Sequence, residues 1–372
     1  MTAGFFAPLP PARTGVADYA EALLGGLRKH GEVKVGTPGD VALYHIGNNQ
    51  LHSAIYDRAL ADPGVVVLHD SVLQHFFLGR FTAREYVDEF IFNYGEWTRS
   101  LAEDLWKHRA RSAADPRYFA WPMLKRIATT ARAIVVHNPA AAAIVRRHAP
   151  DACITEIPHL FVKPEMPSQV DTLRFRDHLG LGPRTLLAGV FGHQRESKRL
   201  PVVLRALERA WNAGADARLL IAGRFESSDL ERLLAGQLSD PRIFQVGYLA
   251  EPDFWRYAAA VDLCINLRYP TAAETSGIAI RLMGIGKPVV FSDGLEISRI
   301  PENACLRVET GLAEEEMLGD YITWLSRDRE AGVAIGRRAA AHIAGHHALE
   351  VVAERYWEVL RRCFSECLRL PR

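Results

Sequence analysis

The chain has 372 residues, of which 48% are hydrophobic and 24% are charged, a composition that is typical of folded globular proteins and excludes disordered and collagen-like chains. Lysine and arginine together number 45, and aspartate and glutamate 44, so the net charge gives no indication of nucleic acid as a partner. No apolar run reaches the roughly 18 residues that span a bilayer. Five scattered cysteines and the lack of a secretory signal predict a cytoplasmic protein.

Short β-branched apolar segments alternate with amphipathic stretches, which predicts parallel sheets with helices on both faces. The predicted strands of the first half are Ala3–Pro8, Val33–Val35, Val41–His45, Val65–His69, Ala133–His137 and Ile154–Ile157. Those of the second half are Leu186–Phe191, Leu219–Ala222, Ile243–Val246, Leu263–Asn266, Val289–Ser292 and Cys305–Val308. A helix is predicted at Asp18–Lys29, where three leucines share one face.

The strand–helix pattern is interrupted once. Phe161–Val170, FVKPEMPSQV, contains two prolines and polar residues and predicts a linker. We therefore predict an α/β fold of two doubly wound domains that face a central cleft, residues 1–165 and 166–350, followed by a C-terminal helix, 351–372. Ligands of such sheets bind at the carboxyl ends of the strands, so the loops after the strands are the candidate sites.

Two loops of the first half carry candidate residues. In PLPPARTGVADY, Gly15 opens a helix, and a glycine at a helix N-terminus lets backbone N–H groups approach an anion. The alternative is an ordinary strand–helix turn. His69 and Asp70 stand at the end of the strand VVVL, and this position favours a functional histidine over a structural one.

The loop after Leu186–Phe191 is rich in cations. Gly192 ends the strand, and His193, Arg195 and Lys198 follow before a helix. Cations on such a loop suit a diphosphate, although a solvated basic turn would have the same composition. The loop has neither the P-loop spacing nor the GxGxxG of dinucleotide-binding proteins.

The segment Asn266–Ser292, NLRYPTAAETSGIAIRLMGIGKPVVFS, predicts strand, loop, helix and strand. Glu274 immediately precedes Thr275–Ser276–Gly277 at the predicted helix start. Backbone N–H groups at a helix N-terminus hold phosphate, and a carboxylate beside them can accept hydrogen bonds from sugar hydroxyls. This combination indicates a nucleotide-sugar site more strongly than a structural turn.

Taken together, these segments resemble the retaining glycosyltransferases of family 4, also called glycosyltransferase group 1. The resemblance covers the proline-rich loop with Gly15, VFG…K ending at Lys198, LLIAGRF, VGYLAEPDFWRYAAAVDLCINLRYP and the E…G…GKPVV…SD block. It implies a GT-B fold of two Rossmann-like domains, a nucleotide-sugar donor bound mainly by the second, and a C-terminal helix that crosses back to the first.

The resemblance also implies roles for individual residues. Lys198 neutralises the donor diphosphate, Glu274 holds the transferred sugar and His69 lies near that sugar, and these three are the expected catalytic residues. Asp70 is expected on the acceptor side. The remaining expected donor-binding positions are Gly15, Gly192, His193, Arg195, Tyr248 (nucleobase), Thr275, Ser276, Gly277, Ile278 and Arg281.

Two positions depart from the family pattern. His193 stands where the family has an arginine, and Arg195 is expected to supply that charge. Arg281 falls nearest to the second glutamate of the family's Glu-x7-Glu motif, which usually binds the donor ribose. No Asp-x-Asp occurs in the chain, so no metal or other cofactor is expected, and the diphosphate itself would take the acceptor proton.

The predicted activity is retaining transfer of a hexose from GDP-mannose or a UDP-hexose to a glycan, lipid-linked or small-molecule acceptor. One alternative is a non-catalytic partner subunit or nucleotide-sugar sensor of the same fold. Another is an epimerase, which needs no acceptor, or a phosphorylase, although none of the seven lysines stands out as a pyridoxal phosphate site.

The acceptor region is sought in Phe76–Trp121, which holds 12 of the 34 aromatic residues. Its basic cluster consists of Lys107, His108, Arg109 and Arg111. One hypothesis is an acceptor platform at the inner, anionic face of a membrane. The other is a pair of core helices joined by a solvated turn.

Overall fold

A computed structural model describes residues 1–12 and 14–367 of the chain. Residues 368–372 of the predicted C-terminal helix lie outside this part. Two compact units emerge from the contacts. The first consists of Met1–Val162, Pro270–Thr275 and the segment that begins at His346, and the second of Lys163–Tyr269 and Ser276–Gly345. Pro270–Thr275, inside the second predicted domain, thus packs with the first unit.

The first unit is built on a six-stranded parallel sheet in the order β2-β1-β3-β4-β5-β6. These strands are β1 (Ala3–Phe6), β2 (Val33–Val35), β3 (Val41–Ile46), β4 (Val65–Leu68), β5 (Ala133–Val136) and β6 (Ile154–Glu156). Its helices are α1 (Gly15–Leu27), α2 (Ser53–Ala61), α3 (Gln74–Arg80), α4 (Ala83–Tyr94), α5 (Arg99–Lys107), α6 (Arg117–Ala120), α7 (Lys125–Thr130) and α8 (Pro139–His148). One further helix, α16, comes from the end of the chain (Leu349–Cys367).

Both faces of the first sheet are covered, as its uninterrupted apolar strands require. Helices α2 to α8 supply one core and α1 with α16 the other. Helices α1 and α16 approach closely at Gly26, where a Cβ atom would come within 2.8 Å of the Ala353 Cβ. Their buried hydroxyls meet as well, since Tyr19 Oη lies 2.9 Å from Tyr356 Oη. The predicted return of the C-terminal helix to the first unit is thus confirmed for its described residues.

The second unit has a six-stranded parallel sheet in the order β12-β11-β10-β7-β8-β9. Its strands are β7 (Leu186–Phe191), β8 (Ala217–Ala222), β9 (Ile243–Val246), β10 (Leu263–Asn266), β11 (Val289–Ser292) and β12 (Leu306–Val308). Its helices are α9 (Gln169–His178), α10 (Leu200–Asn212), α11 (Ser228–Leu238), α12 (Glu251–Ala260), α13 (Gly277–Gly284), α14 (Glu314–Arg327) and α15 (Arg329–His346). This is the strand order of the doubly wound nucleotide-binding fold, with its switch point between β7 and β10.

All twelve predicted strands are confirmed, five with the predicted ends and the others with ends that differ by one or two residues. The first helix begins at Gly15, as predicted from the loop PLPPARTGVADY, three residues before the amphipathic stretch from Asp18. The Thr14 hydroxyl accepts a hydrogen bond from the backbone N–H of Ala17 and caps the helix there. Among the described helices, none combines the length and the apolar character needed to cross a membrane.

Candidate functional site

The switch point of the second unit brings three predicted donor-binding residues together. Gly192 follows β7 with φ of +84°. A Cβ atom built on it would lie 2.7 Å from the Ile278 side chain, at the start of α13, and 3.0 Å from Lys198 Nζ. The Lys198 ammonium donates to the carbonyl of Phe191. A lysine, a glycine and a helix start therefore converge where doubly wound sheets bind their ligands.

Lys198 is buried, with 7% of its surface exposed. Burial lowers the pKa of its amine well below the usual range, and the nearby guanidinium groups of Arg268 and Arg195 lower it further. A buried cation of this kind is costly to the fold unless an anion compensates it. The position therefore suits an anionic ligand such as a diphosphate.

Substituting Gly192 tests how tightly this corner is built. We expect Gly192→Ala to lower the free energy of unfolding by about 2–4 kcal/mol, because positive φ and overpacking against Ile278 and Lys198 add. Gly214→Ala is the matched control, since Gly214 has φ of +83° and a Cβ atom built on it would meet nothing within 4 Å beyond its chain neighbours; it should cost only about 1–2 kcal/mol. Urea titrations of both variants measure the loss in free energy of unfolding. Equal losses in the two variants would contradict crowding of Gly192 by Ile278 and Lys198.

Two of the cationic side chains predicted after β7 contact a carboxylate that was not predicted from the sequence. Glu226, after β8, accepts from Arg195, with one contact of 3.0 Å, and lies 3.4 Å from His193 Nδ1. Half-burial opposes ionisation of Glu226, but the hydrogen bonds and charge of Arg195 prevail and lower the pKa of this carboxyl. Glu226 lies in the loop after β8, the strand next to β7, and this position could have identified it as a site candidate from the sequence. Arg195 and His193 are therefore held on an exposed rim next to Lys198.

Helix α13 starts with a satisfied cap. The Ser276 hydroxyl accepts from the backbone N–H of Ala279 (3.3 Å) and donates to Asn266 Oδ1 (2.9 Å), at the end of β10. This arrangement fixes Gly277 as the first residue of the helix. The first backbone N–H groups of α13 therefore start at the switch point, where the helix dipole favours an anion.

The Arg281 side chain, on α13, is held by one carboxylate and two aromatic rings. Its guanidinium is ion-paired with Glu251 and lies over the rings of Phe254 (4.1 Å) and Trp255 (4.3 Å). The carboxylate that it holds, Glu251 at the start of α12, was not a sequence candidate. Tyr248, three residues earlier, is exposed, with 56% of its surface accessible.

In the first unit, the loop that carries Glu274 is fixed at the ends of two strands. The backbone N–H of Ser71, after β4, donates to the Ala272 carbonyl (2.9 Å). The Asn138 amide, after β5, donates to the Ala273 carbonyl (2.8 Å) and to Thr275 Oγ1 (3.0 Å). Neither Ser71 nor Asn138 was predicted as a site residue. These bonds explain why Pro270–Thr275 packs with the first unit.

The Glu274 carboxylate is oriented by its own loop. Its Oε2 accepts from the backbone N–H of Ala272 (2.9 Å) and from the Thr271 hydroxyl (3.3 Å). Ala273, between them, has φ of +54° and is buried. A non-glycine residue in this left-handed region indicates a backbone held by its surroundings. The loop therefore presents Glu274 in a fixed orientation.

His69 belongs to an array of aromatic rings at the carboxyl edge of the first sheet. Its ring centroid lies 5.2 Å from that of His45, 5.1 Å from His137 and 5.0 Å from Tyr19. Tyr19 also packs on His159, at 4.8 Å. The three histidines His45, His69 and His137 end or follow the neighbouring strands β3, β4 and β5. Sequence reasoning identified only His69.

Burial disfavours the charged forms of three histidines of this array, His45, His69 and His137. Burial lowers the pKa of His45 to about 3 and that of His137 to about 4. Burial, followed by the charge of His137 and other neighbouring histidines, also lowers the pKa of His69 well below its usual range. Because a carbonyl only accepts, His137 Nδ1 carries its proton and donates to the Ile157 carbonyl at 2.9 Å.

His69 takes its side-chain hydrogen bond from an unexpected residue. Its Nε2 lies 2.9 Å from His45 Nδ1. Asp70, its sequence neighbour, instead accepts from the backbone N–H of Asn48 through Oδ2 (2.9 Å). If His45 Nδ1 donates, His69 Nε2 accepts and the neutral His69 ring carries its proton on Nδ1. Gly15 is exposed at the start of α1, the helix that also carries Tyr19.

No group of three His, Cys, Asp or Glu side chains suited to hold a metal ion is found in the part of the chain that the structure describes. The histidine array is a stack of rings in edge and tilted contact rather than a set of nitrogens that point to one centre. What the described residues bring together is a cationic corner in the second unit and a carboxylate with neutral imidazoles in the first.

Comparison with known families was consistent with this geometry. Residues 182–328 match the family model described as glycosyl transferases group 1. The match covers 147 of the 372 residues, all of them in the second unit except Pro270–Thr275. The matched segment contains Gly192, Lys198, Glu274 and Ile278, so the resemblance read from the motifs is confirmed there. A comparison of the sequence with curated proteins found no match.

Solved structures share the architecture over nearly the whole chain. HepE of Anabaena, solved with UDP and glucose, is 16% identical with a TM-score of 0.67, covering 97% of this chain and 100% of that one. Sucrose-phosphate synthase of Thermosynechococcus elongatus is 15% identical, with a TM-score of 0.66 and 98% and 100% covered. The catalytic domain of starch synthase IV of Arabidopsis thaliana, bound to ADP and acarbose, is 11% identical, with a TM-score of 0.66 and 98% and 99% covered. The predicted GT-B fold is confirmed.

Proposed function

We propose that the protein is a retaining, metal-independent glycosyltransferase that moves a hexose from GDP-mannose or a UDP-hexose to a glycan, lipid-linked or small-molecule acceptor. The observation that carries this proposal is the buried Lys198 beside Gly192 and the start of α13, within the segment that matches glycosyltransferase group 1. The similar structures solved with UDP, UDP-glucose and ADP support a nucleotide-sugar donor.

In this proposal the second unit stabilises the leaving diphosphate. Lys198 and the first N–H groups of α13 supply positive charge that is in place before the reaction, which is the most effective form of electrostatic catalysis. Arg195 and His193 lie on the rim and add charge that Glu226 partly offsets. Arg281 and Tyr248 are proposed to contact the nucleoside, and Glu251 provides a carboxylate beside Arg281.

The first unit is proposed to act on the transferred sugar. Glu274 accepts hydrogen bonds from sugar hydroxyls, and a neutral His69 donates from Nδ1 to the sugar or its acceptor. Asp70 contributes on the acceptor side and Gly15 on the side of the donor phosphates. The acceptor hydroxyl attacks on the face of the leaving group, its proton passes to the departing diphosphate oxygen, and no separate general base is assigned.

Donor binding should bring a proton with it. A diphosphate next to Lys198 favours the charged amine and raises its lowered pKa. We therefore expect donor binding to be coupled to uptake of a proton over the pH range in which the amine titrates. Calorimetry in buffers of different ionisation enthalpy measures this uptake. Lys198→Met should abolish the uptake, and the same uptake in wild type and variant would contradict a diphosphate at this lysine.

The decisive experiment is a thermal-shift and calorimetry panel of GDP-, UDP-, ADP- and dTDP-sugars. Selective stabilisation by one of them, weakened in Lys198→Met, supports the transferase and fixes the donor for an acceptor search. Binding without transfer to any acceptor would favour the nucleotide-sugar sensor or partner subunit. Conversion of the sugar nucleotide without an acceptor would favour an epimerase. The absence of binding to every donor would refute the proposed function.

A further inference from the structure

An open cavity of about 570 Å³ lies on the surface of the first unit and includes Lys107 and Arg109 of the basic cluster in its lining. Its wall is formed by α3, by the residues before α2 and by the turn after α5, through Gln50, His75, Gly79, Lys107 and Arg109 among others. Ligand sites commonly have volumes of about 300–1,000 Å³, so the cavity holds a group of the size of a hexose phosphate.

The lining of this cavity is basic. It includes Lys107, Arg109 and the titratable His75, and none of its lining residues is acidic. Asp104, a carboxylate on α5, contacts Arg117 (2.8 Å) and His108 (3.1 Å). Within the described residues, neither Lys107 nor Arg109 forms a salt bridge. The two cations therefore face the cavity without a protein counter-charge.

The arginine is also held in place. Arg109 donates to the Trp106 carbonyl (2.9 Å) and lies over the Trp106 ring at 4.4 Å. Such a cation–π contact orients the guanidinium without neutralising it. A fixed guanidinium binds carboxylate or phosphate oxygens with two parallel hydrogen bonds. The cavity thus has the shape and charge of an anion site, beyond what a solvated basic turn requires.

The wall of the cavity is connected to the proposed acceptor side through one residue. Asn48 accepts from the backbone N–H of Phe76 through Oδ1 (2.9 Å), which orients its amide, and Nδ2 then donates to His75 Nδ1 (3.1 Å). The backbone N–H of the same Asn48 donates to Asp70 Oδ2 (2.9 Å). His75 of the cavity and Asp70 beside His69 therefore share one anchor.

We propose that this cavity binds an anionic group, a phosphate or a carboxylate, that is carried by the acceptor. That the anion belongs to the acceptor rests on the proposed function, whereas the anion site itself rests on the residues of the cavity. The acceptor class that follows is an acidic sugar, a sugar phosphate or a lipid-linked phosphate. This interpretation assigns Lys107 and Arg109 to recognition of the acceptor rather than to solvation of a turn.

The test is calorimetry of the full chain with glucose 6-phosphate, glucuronate and uncharged glucose. We expect the two anions to bind and glucose to bind at least about tenfold more weakly. The double variant Lys107→Gln/Arg109→Gln should lose about ten- to a hundredfold in affinity for the anions, as expected when hydrogen bonds to charged groups are removed. Arg111→Gln is the matched control, because Arg111 follows in the same basic turn but does not line the cavity.

Two further measurements place the anion and identify its source. Lys198→Met should keep the affinity for glucose 6-phosphate, since the diphosphate corner is in the other unit. Sedimentation with phosphatidylglycerol vesicles, against phosphatidylcholine vesicles, tests the lipid phosphate. Vesicle binding that Lys107→Gln/Arg109→Gln weakens and Arg111→Gln does not supports a lipid source for the same cavity. Equal weakening by Arg111→Gln, or unchanged anion affinity in the double variant, overturns the proposal.

The two proposals fail separately. Donor binding to Lys107→Gln/Arg109→Gln should equal that of the wild type. If a donor binds but the double variant keeps the wild-type affinity for the anions, the assignment of the cavity is wrong and the proposed glycosyltransferase activity stands. If no donor binds while the cavity still takes glucose 6-phosphate, the proposed function is wrong and the anion site stands.

Discussion

Replacing Lys198 by methionine should lower kcat of glycosyl transfer by about 10²–10³, the loss found when one preorganised charge is removed from a transition state. The same substitution should raise the free energy of unfolding by about 1–2 kcal/mol. The reason is that burial lowers the pKa of the Lys198 amine, so the lysine holds its proton less tightly in the folded chain than in the unfolded one, and its charge costs stability. A substitution that lowers kcat but raises the free energy of unfolding indicates that the lysine serves function rather than stability.

Lys287 is the matched control for this prediction. It is a partly buried lysine of the second unit. Its Nζ donates to the Ala259 carbonyl at 2.7 Å, and desolvation lowers its pKa to about 8. Lys287→Met should therefore leave kcat within about twofold of the wild type. Urea unfolding and initial rates with the donor found by the panel measure both quantities. A Lys198→Met protein that is destabilised and only slightly less active would make Lys198 a structural residue.

The strands were predictable because a parallel sheet covered on both faces needs strands that are apolar at nearly every position. Val65–Leu68 and Ala133–Val136 are such runs, and both are buried throughout. Gly192 and Lys198 were predictable because they stand within a few residues of one strand end. The local sequence thus contained the information for the strands and for the corner after β7.

The pairings across the molecule were not predictable in the same way. Glu226 reaches Arg195, and Asn138 reaches Ala273, only because the fold brings distant loops together. The placement of Pro270–Thr275 in the first unit depends on such bonds and has no local signal. The histidine array did have a local sequence signal, because VALYHI, VVVLHD and AIVVHN each put a histidine at the end of a strand. Read as a set, they indicate one cluster at the carboxyl edge of the sheet.

The buried histidines should make the first unit sensitive to acid. The pKa of His45 is lowered to about 3 and that of His137 to about 4, whereas an unfolded histidine titrates near 6.5. Below about pH 6.5 the unfolded chain takes up protons that the folded chain excludes, so stability falls as the pH falls. Each of the two residues should cost about 2 kcal/mol at about pH 5 relative to neutral pH.

Substitution of His45 separates this effect from general acid denaturation. His45 is fully buried between the rings of Phe5 and His69, so His45→Phe keeps an aromatic ring and removes one titrating group. Urea unfolding from about pH 7.5 to about pH 5 should show a shallower loss in His45→Phe, by about 2 kcal/mol at the acid end. His108→Gln, at an exposed position, is the control variant. Because burial lowers the pKa of His69 well below its usual range, we expect transfer by the folded wild type to show no titration of that imidazole near pH 6.5. An activity that is lost near pH 6.5 in still-folded protein would contradict a neutral, hydrogen-bond-donating His69.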